Sequence, residues 1–192
     1  MHHTIRLSQM RIGVDLDGVV ADFTQGWTSK YKLDFDKEIK EEDITEWGLS
    51  KPLTHFEEEI DFWNWAKDFN GSSIFRNLKT YENSIEALLE VSMAGHEVVI
   101  ISSKPWWAIS DTLIWLGENK IPSKEIHFLE DKWTIDCDVY IDDAPHQLEN
   151  FVKHVPDKLI LRFVRPYNRP VTGTKDINNW LEFNSLLESY NL

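Results

Sequence analysis

A single cysteine, Cys137, leaves the chain without an internal disulfide, so packing and not covalent stapling must hold the fold. Basic side chains are also scarce: 20 Lys and Arg stand against 33 Asp and Glu, a net charge of −13. A field of that sign repels polyanions, and no basic stripe is present to neutralise a run of phosphates, which argues against duplex nucleic acid as a partner. A small phosphate compound stays admissible, because a metal ion and one or two lysines reverse the field locally. Long apolar runs are missing too. Stretches such as "EVVII" fall far short of the roughly 20 residues that span a bilayer, so no membrane association is expected. The opening "MHHTIRLSQM" lacks the apolar segment of a secretory signal, its His2 and His3 carry no assigned function, and a cytoplasmic setting is the expectation. In that setting the sequon Asn70-Gly71-Ser72 is an accident of composition. No internal repeat and no low-complexity segment is visible.

What is present is a globular composition, 42% hydrophobic, on a chain of 192 residues, enough for one buried core plus a modest insertion. Nine Trp, ten Phe and five Tyr exceed what such a core requires, so some of them are expected to line a site.

"RIGVD" reads as a short buried strand ended by a turn at Gly18. From about Asp22 to Thr80 the texture turns acidic and aromatic, broken by Pro52, and predicts two to four short helices in a small inserted cap, 22–80. The core domain is then 10–21 together with 81–192. Within it Ser84 is expected to cap a helix bearing Ile85, Leu88, Leu89 and Ser92 on one face, with Gly95 as its stop. "HEVVIIS", "EIHFL", "DVYIDD" and "KLILRF" read as further strands. "PWWAISDTLIWLGEN", with Pro105 in its first turn, "HQLENFVKH" and "INNWLEFNSLLESY" read as helices. This alternation predicts an α/β fold, a Rossmann-like three-layer core with a mostly parallel sheet.

In such sheets ligands bind beyond the carboxyl ends of the strands. Polar residues gather there in this sequence: Asp15 and Asp17 after the first strand, Ser102 and Ser103 after the second, Lys132 beyond the third, Asp142 and Asp143 at the end of the fourth. Residues i and i+2 of an extended segment point the same way, so Asp15 and Asp17 can face one substrate while Gly18 turns the chain away. A carboxylate approaching a phosphate faces repulsion of about 4 kcal/mol per charge pair at about 4 Å with an effective dielectric near 20. A hard dication held by oxygen ligands offsets it, and Mg²⁺ suits that donor set.

"DLDGVVADF", "IISSKP", "DK" and "VYIDD" stand in the order and places of the four motifs of the haloacid dehalogenase-like phosphohydrolases. Within that superfamily the chain most resembles the 5'(3')-deoxyribonucleotidases, through "DLDGVVADF" with Phe23 in place, Lys132 ten residues before the paired aspartates, and "RPYN" near the end. The second motif departs from their usual Thr-Ser-Pro, reading Ser102-Ser103-Lys104-Pro105 as in the wider superfamily. The resemblance implies a Mg²⁺-dependent phosphomonoesterase acting on nucleoside monophosphates, deoxyribonucleotides preferred. It implies Asp15 as the nucleophile that becomes an aspartyl-phosphate and Asp17 as acid and then base. Ser102, with Ser103, would bind a phosphate oxygen, and Lys132 would neutralise the phosphoryl group. Asp143, assisted by Asp142, would hold the metal together with the Asp15 carboxylate and the Asp17 backbone carbonyl.

Of the cap aromatics Trp47, Phe56, Phe62, Trp63, Trp65, Phe69 and Phe75, most are expected to form the cap's own core. Phe23 is the first candidate to stack on a nucleobase and Trp47 the second. His55, His96, His127, His146 and His154 show no metal-ligand spacing and read as surface or structural, and Cys137 as a small filler at a strand edge. Three alternatives stay open: another small phosphate ester as substrate, a non-hydrolytic phosphoacceptor, and a binding protein without turnover. A homodimer is compatible with the sequence.

Overall fold

The computed structural model describes residues 9–48, 53–67 and 71–190. Phe69, Asn70 of the sequon, His2 and His3 lie outside them.

Six parallel strands, β1 (Arg11–Val14), β2 (Glu97–Ser102), β3 (Glu125–Phe128), β4 (Val139–Asp142), β5 (Leu159–Phe163) and β6 (Lys175–Ile177), form one sheet in the order β3-β2-β1-β4-β5-β6. Five of these are the strands expected from the sequence. The sixth escaped because "KDI" is three residues long, exposed at its first two positions, and offers no apolar run. The central strands alternate between two buried layers, as the period of two in side-chain direction requires. Ile12, Val14, Val98, Ile100, Val139 and Ile141 belong to one core cluster with α3 (Ser84–Met93) and α6 (Trp180–Tyr190). Val99, Ile101, Tyr140 and Ile160 belong to the other, with Leu148 and Phe151 of α5 (Pro145–His154). Helix on sheet on helix is the three-layer α/β arrangement expected, and Cys137 sits buried in the second layer.

Local capping departs from expectation in two places. Ser84 is the first helical residue of α3 and not its cap; Asn83 holds that position in the left-handed region, φ 61°, which asparagine tolerates better than most residues. Pro105 opens a short 3-10 turn, Trp106–Ala108, before α4 (Ile109–Glu118) begins.

The segment between β1 and α3 contains α1 (Phe23–Phe35), α2 (Glu59–Lys67) and two 3-10 turns, Glu41–Asp43 and Ile74–Arg76. Asp22 starts α1 by accepting the backbone N–H of Gln25 at 2.9 Å, an N-cap that leaves its neighbour Phe23 in the first turn. The ends of the segment are pinned together: Asp22 N–H donates to Lys79 C=O at 2.8 Å and Tyr81 N–H to Val20 C=O at 2.9 Å. Among the described residues no helix is long and apolar enough to cross a membrane.

Candidate active site

The strand order reverses its direction of growth between β1 and β4, and a sheet opens a crevice at such a point. Val14 lies in register with Ile141, and Asp15 N–H donates to Ile141 C=O at 3.0 Å, so the residues that follow, Asp15 and Asp142, emerge side by side. One carboxylate oxygen from each of Asp15, Asp142 and Asp143 lies within 4.8 Å of the others, and all three residues are buried. The structure thus brings together acids 127 and 128 positions apart in the chain.

Lys132, 2% exposed, enters from the 3-10 turn Lys132–Thr134 after β3 and donates to Asp15 Oδ1 at 2.8 Å and Asp142 Oδ2 at 2.7 Å. Burial works against its charge, yet Asp142 and Asp15 outweigh that and raise its pKa, so it stays an ammonium. Asp143 receives less. Tyr167 donates to its Oδ2 at 2.5 Å, while its Oδ1 is buried with no hydrogen-bond partner. Burial, then Asp142, then Asp15 push the Asp143 carboxyl well up, against the pull of Tyr167 and Arg165. Burial also pushes Asp142 up to about 6, with Lys132 opposing and Asp15 adding.

Three buried carboxylates beside one ammonium, with one oxygen left unpartnered, form an all-oxygen donor set of surplus negative charge. That chemistry fits a hard divalent cation, because such a charge would satisfy the orphan oxygen and remove the mutual repulsion. Gly18 belongs to the same design. It has φ +79°, and a Cβ there would lie 2.1 Å from Asp143 Oδ2, so only glycine lets the turn pass the acids.

Asp17 does not join the cluster. Its side chain, 28% exposed, lines the cleft and is held from behind by Lys104, whose Nζ lies 2.6 Å from Oδ1 and 2.5 Å from Oδ2. Burial pushes the Asp17 carboxyl up, Lys104 pulls it down, and Asp15 adds to the rise. Ser102, 2% exposed at the end of β2, and the half-buried Ser103 both line the cleft, and Ser103 Oγ donates to Leu129 C=O at 3.3 Å.

A cavity of about 250 Å³ joins these groups to an aromatic wall. Phe23 stacks on Phe75 with centroids 5.4 Å apart and 13° between planes, and on Trp63 at 6.0 Å and 24°. Phe23 and Trp63 line the cavity while Phe75 is buried behind them. Opposite, Trp47 is 49% exposed and meets the rings of His146 and Tyr167, each at 5.5 Å. Phe56, Phe62 and Trp65 pack on one another within the inserted segment, away from the cavity lining.

All nine residues singled out from sequence are therefore placed near one cleft. Sequence reasoning assigned no role to Lys104, His146 or the "RPYN" side chains. Tyr167 supports Asp143, Asn168 Nδ2 donates to Asp143 C=O at 2.8 Å, and Arg165 Nε donates to Gly18 C=O at 2.6 Å while its guanidinium covers the Tyr81 ring at 3.7 Å. The motif itself was the available signal for the last group. His146, read as surface or structural, is in the cleft wall, where burial and Lys132 lower its pKa.

A family model described as "5' nucleotidase, deoxy (Pyrimidine), cytosolic type C protein" matches residues 9–190. The 5'(3')-deoxyribonucleotidase of Bacillus subtilis is 27% identical over 178 residues, 89% of this chain and 94% of that one. The 5'(3')-deoxyribonucleotidase of Clostridium acetobutylicum is 24% identical over 194 residues, 95% and 97% of the two chains. Among solved structures, a HAD family hydrolase from Deinococcus radiodurans, with bound phosphate and sodium, superposes with a TM-score of 0.62 at 14% identity over 97% of this chain and 98% of its own, a likeness of fold. With the match running from just before β1 to the end of α6, over the acid cluster, the lysine and the closing "RPYN", the chain belongs to the cytosolic type C 5'-nucleotidase family, phosphoric monoester hydrolases of the haloacid dehalogenase-like superfamily.

Proposed function

We propose that the protein hydrolyses deoxynucleoside monophosphates to nucleoside and phosphate through an aspartyl-phosphate on Asp15, with Mg²⁺ as its metal. The observation that carries this reading is the buried Asp15, Asp142 and Asp143 cluster at the sheet's switch point, with Asp17 standing apart from it and facing the cleft. The Asp15 and Asp143 carboxylates, with Asp142 and the Asp17 carbonyl, would hold Mg²⁺, which when bound supplies charge to offset the approach of carboxylate to phosphate.

Asp15 Oδ attacks phosphorus, the bond from phosphorus to the sugar oxygen breaks, and that oxygen takes a proton from Asp17. Water then attacks the phosphorus of the acyl phosphate, gives a proton to Asp17, and releases phosphate with Asp15 restored. Ser102 would donate to a phosphoryl oxygen, and Ser103 could do so only by turning its hydroxyl away from Leu129 C=O. Lys132, donating to Asp15 Oδ1, would hold that carboxylate in its direction of attack. The segment 22–80 acts as the cap, presenting Phe23, backed by Phe75, to a nucleobase, with Trp47 at the opposite lip.

The test is phosphate release across a panel of ribo- and deoxynucleoside monophosphates with Mg²⁺ or with EDTA. Deoxynucleotides are expected to lead, and EDTA to abolish turnover. D15N is expected to lower kcat by about 1,000-fold or more with an unchanged circular dichroism spectrum. Turnover by D15N near the wild-type rate would remove the nucleophile from this scheme.

A further inference from the structure

We infer that Lys104 is a positioning residue for the leaving-group acid: it fixes the Asp17 carboxyl group toward the cleft and away from the cation site. The inference rests on the reading above, in which Asp17 protonates the departing sugar oxygen.

Five observations carry it. Asp15 and Asp17 stand one residue apart just beyond β1, yet only Asp15 shares the acid cluster with Asp142 and Asp143. Lys104 Nζ spans both Asp17 oxygens, at 2.6 Å and 2.5 Å, which fixes the plane of the carboxylate as well as its direction. A carboxyl group has about four lone-pair sites, so two remain on the side of the cleft, where Asp17 is partly exposed and where one of them would carry the proton given to the sugar oxygen. The ammonium itself is immobilised, its side chain 2% exposed and Nζ 3.5 Å above the centre of the Phe75 ring. Finally, Lys104 is absent from the cavity lining that contains Asp17, Ser102, Ser103 and Lys132, so it reaches substrate through Asp17 and not directly.

The same Phe75 ring that seats Lys104 backs Phe23. A single buried aromatic therefore links the acid's support to the wall offered to the nucleobase. Sequence alone hides this, since a lysine two positions past a strand reads as an ordinary surface residue.

Leaving-group dependence tests the inference. The parameter kcat/KM covers only steps up to departure of the alcohol, so it isolates the acid's first duty from the later attack by water. A sugar alkoxide needs a proton to leave, whereas p-nitrophenolate departs without one. K104M is expected to lower kcat/KM for the best deoxynucleoside monophosphate by about 100-fold and for p-nitrophenyl phosphate by less than about 5-fold, since a positioned acid contributes about 100-fold or more. K104Q is measured beside it, so that a fold lost in one variant leaves the other to decide, and the same divergence is expected. K104R, which keeps two donors on the carboxylate, should restore the ratio between the substrates. In a D17N background, K104M should leave that ratio where D17N put it.

Equal losses on both substrates would overturn the inference, placing Lys104 on the phosphoryl group or in the fold at large. So would an unchanged nucleotide rate, or a further shift of the ratio in D17N. Failure of the parent reading looks different: wild-type protein releasing no phosphate from any nucleoside monophosphate, or D15N retaining turnover.

Discussion

Asp143 Oδ1, buried and without a partner, shows most plainly how the site is built around missing positive charge. Its neighbour Asp142 has its pKa lifted by burial to about 6, from an ordinary 3.8. Between those values the folded state binds more protons than the unfolded one, so this group's contribution to stability falls as pH rises through the window and stays low above it. A cation competes with those protons. The difference in Tm between Mg²⁺ and EDTA is therefore expected to widen as pH rises through about 6, and taking the difference cancels carboxylates elsewhere that titrate alike in both. Thermal melts at stepped pH check it, and a Tm insensitive to Mg²⁺ at neutral pH would count against a cation among these acids. Charge at this scale was legible in advance: Asp15, Asp17, Asp142 and Asp143 follow apolar runs that leave them no ordinary surface role. What Lys104 and Tyr167 do was not legible, because each acts on an acid far away in sequence.

At the scale of the element, the loop after β1 and the start of α1 form one device. Asp22 caps α1, so Phe23 takes the first helical position with its ring against Phe75 and Trp63. F23A should raise KM for deoxynucleoside monophosphates by about 10-fold, the stacking contribution of one ring, while leaving KM for p-nitrophenyl phosphate much less altered. Steady-state kinetics on the two substrates decide the matter, and equal changes would refute stacking. Element boundaries repeat the pattern seen for residues. The strands with four or more apolar-rich residues were readable by period, whereas β6 pairs with β5 along its backbone and buries only Ile177 of its three side chains. Asn83 and not Ser84 precedes the first turn of α3, in a left-handed conformation that asparagine tolerates better than serine.

For the whole molecule, α6 closes the fold on the loop that follows β1. Trp180, 1% exposed, donates its indole N–H to Val19 C=O at 3.0 Å and packs against Phe163 and Phe183. W180A is expected to cost about 3–5 kcal/mol of stability by leaving a cavity, and to leave a buried carbonyl unpaired besides. Urea unfolding measures the loss, and a change under about 1 kcal/mol would mean the terminal helix is not part of the cooperative core. The sequence by itself determined the α/β class, the five apolar strands, and which acids had to be held at strand ends, since hydrophobic period and the cost of burying charge are local properties of a chain. Tertiary structure alone decided that Asp17 faces Lys104 while Asp15 faces Lys132, that Tyr167 reaches Asp143, and which of the many aromatics border the cleft. Those pairings depend on strand order and on how the segment between β1 and α3 packs, and no residue carries that information in its own neighbourhood.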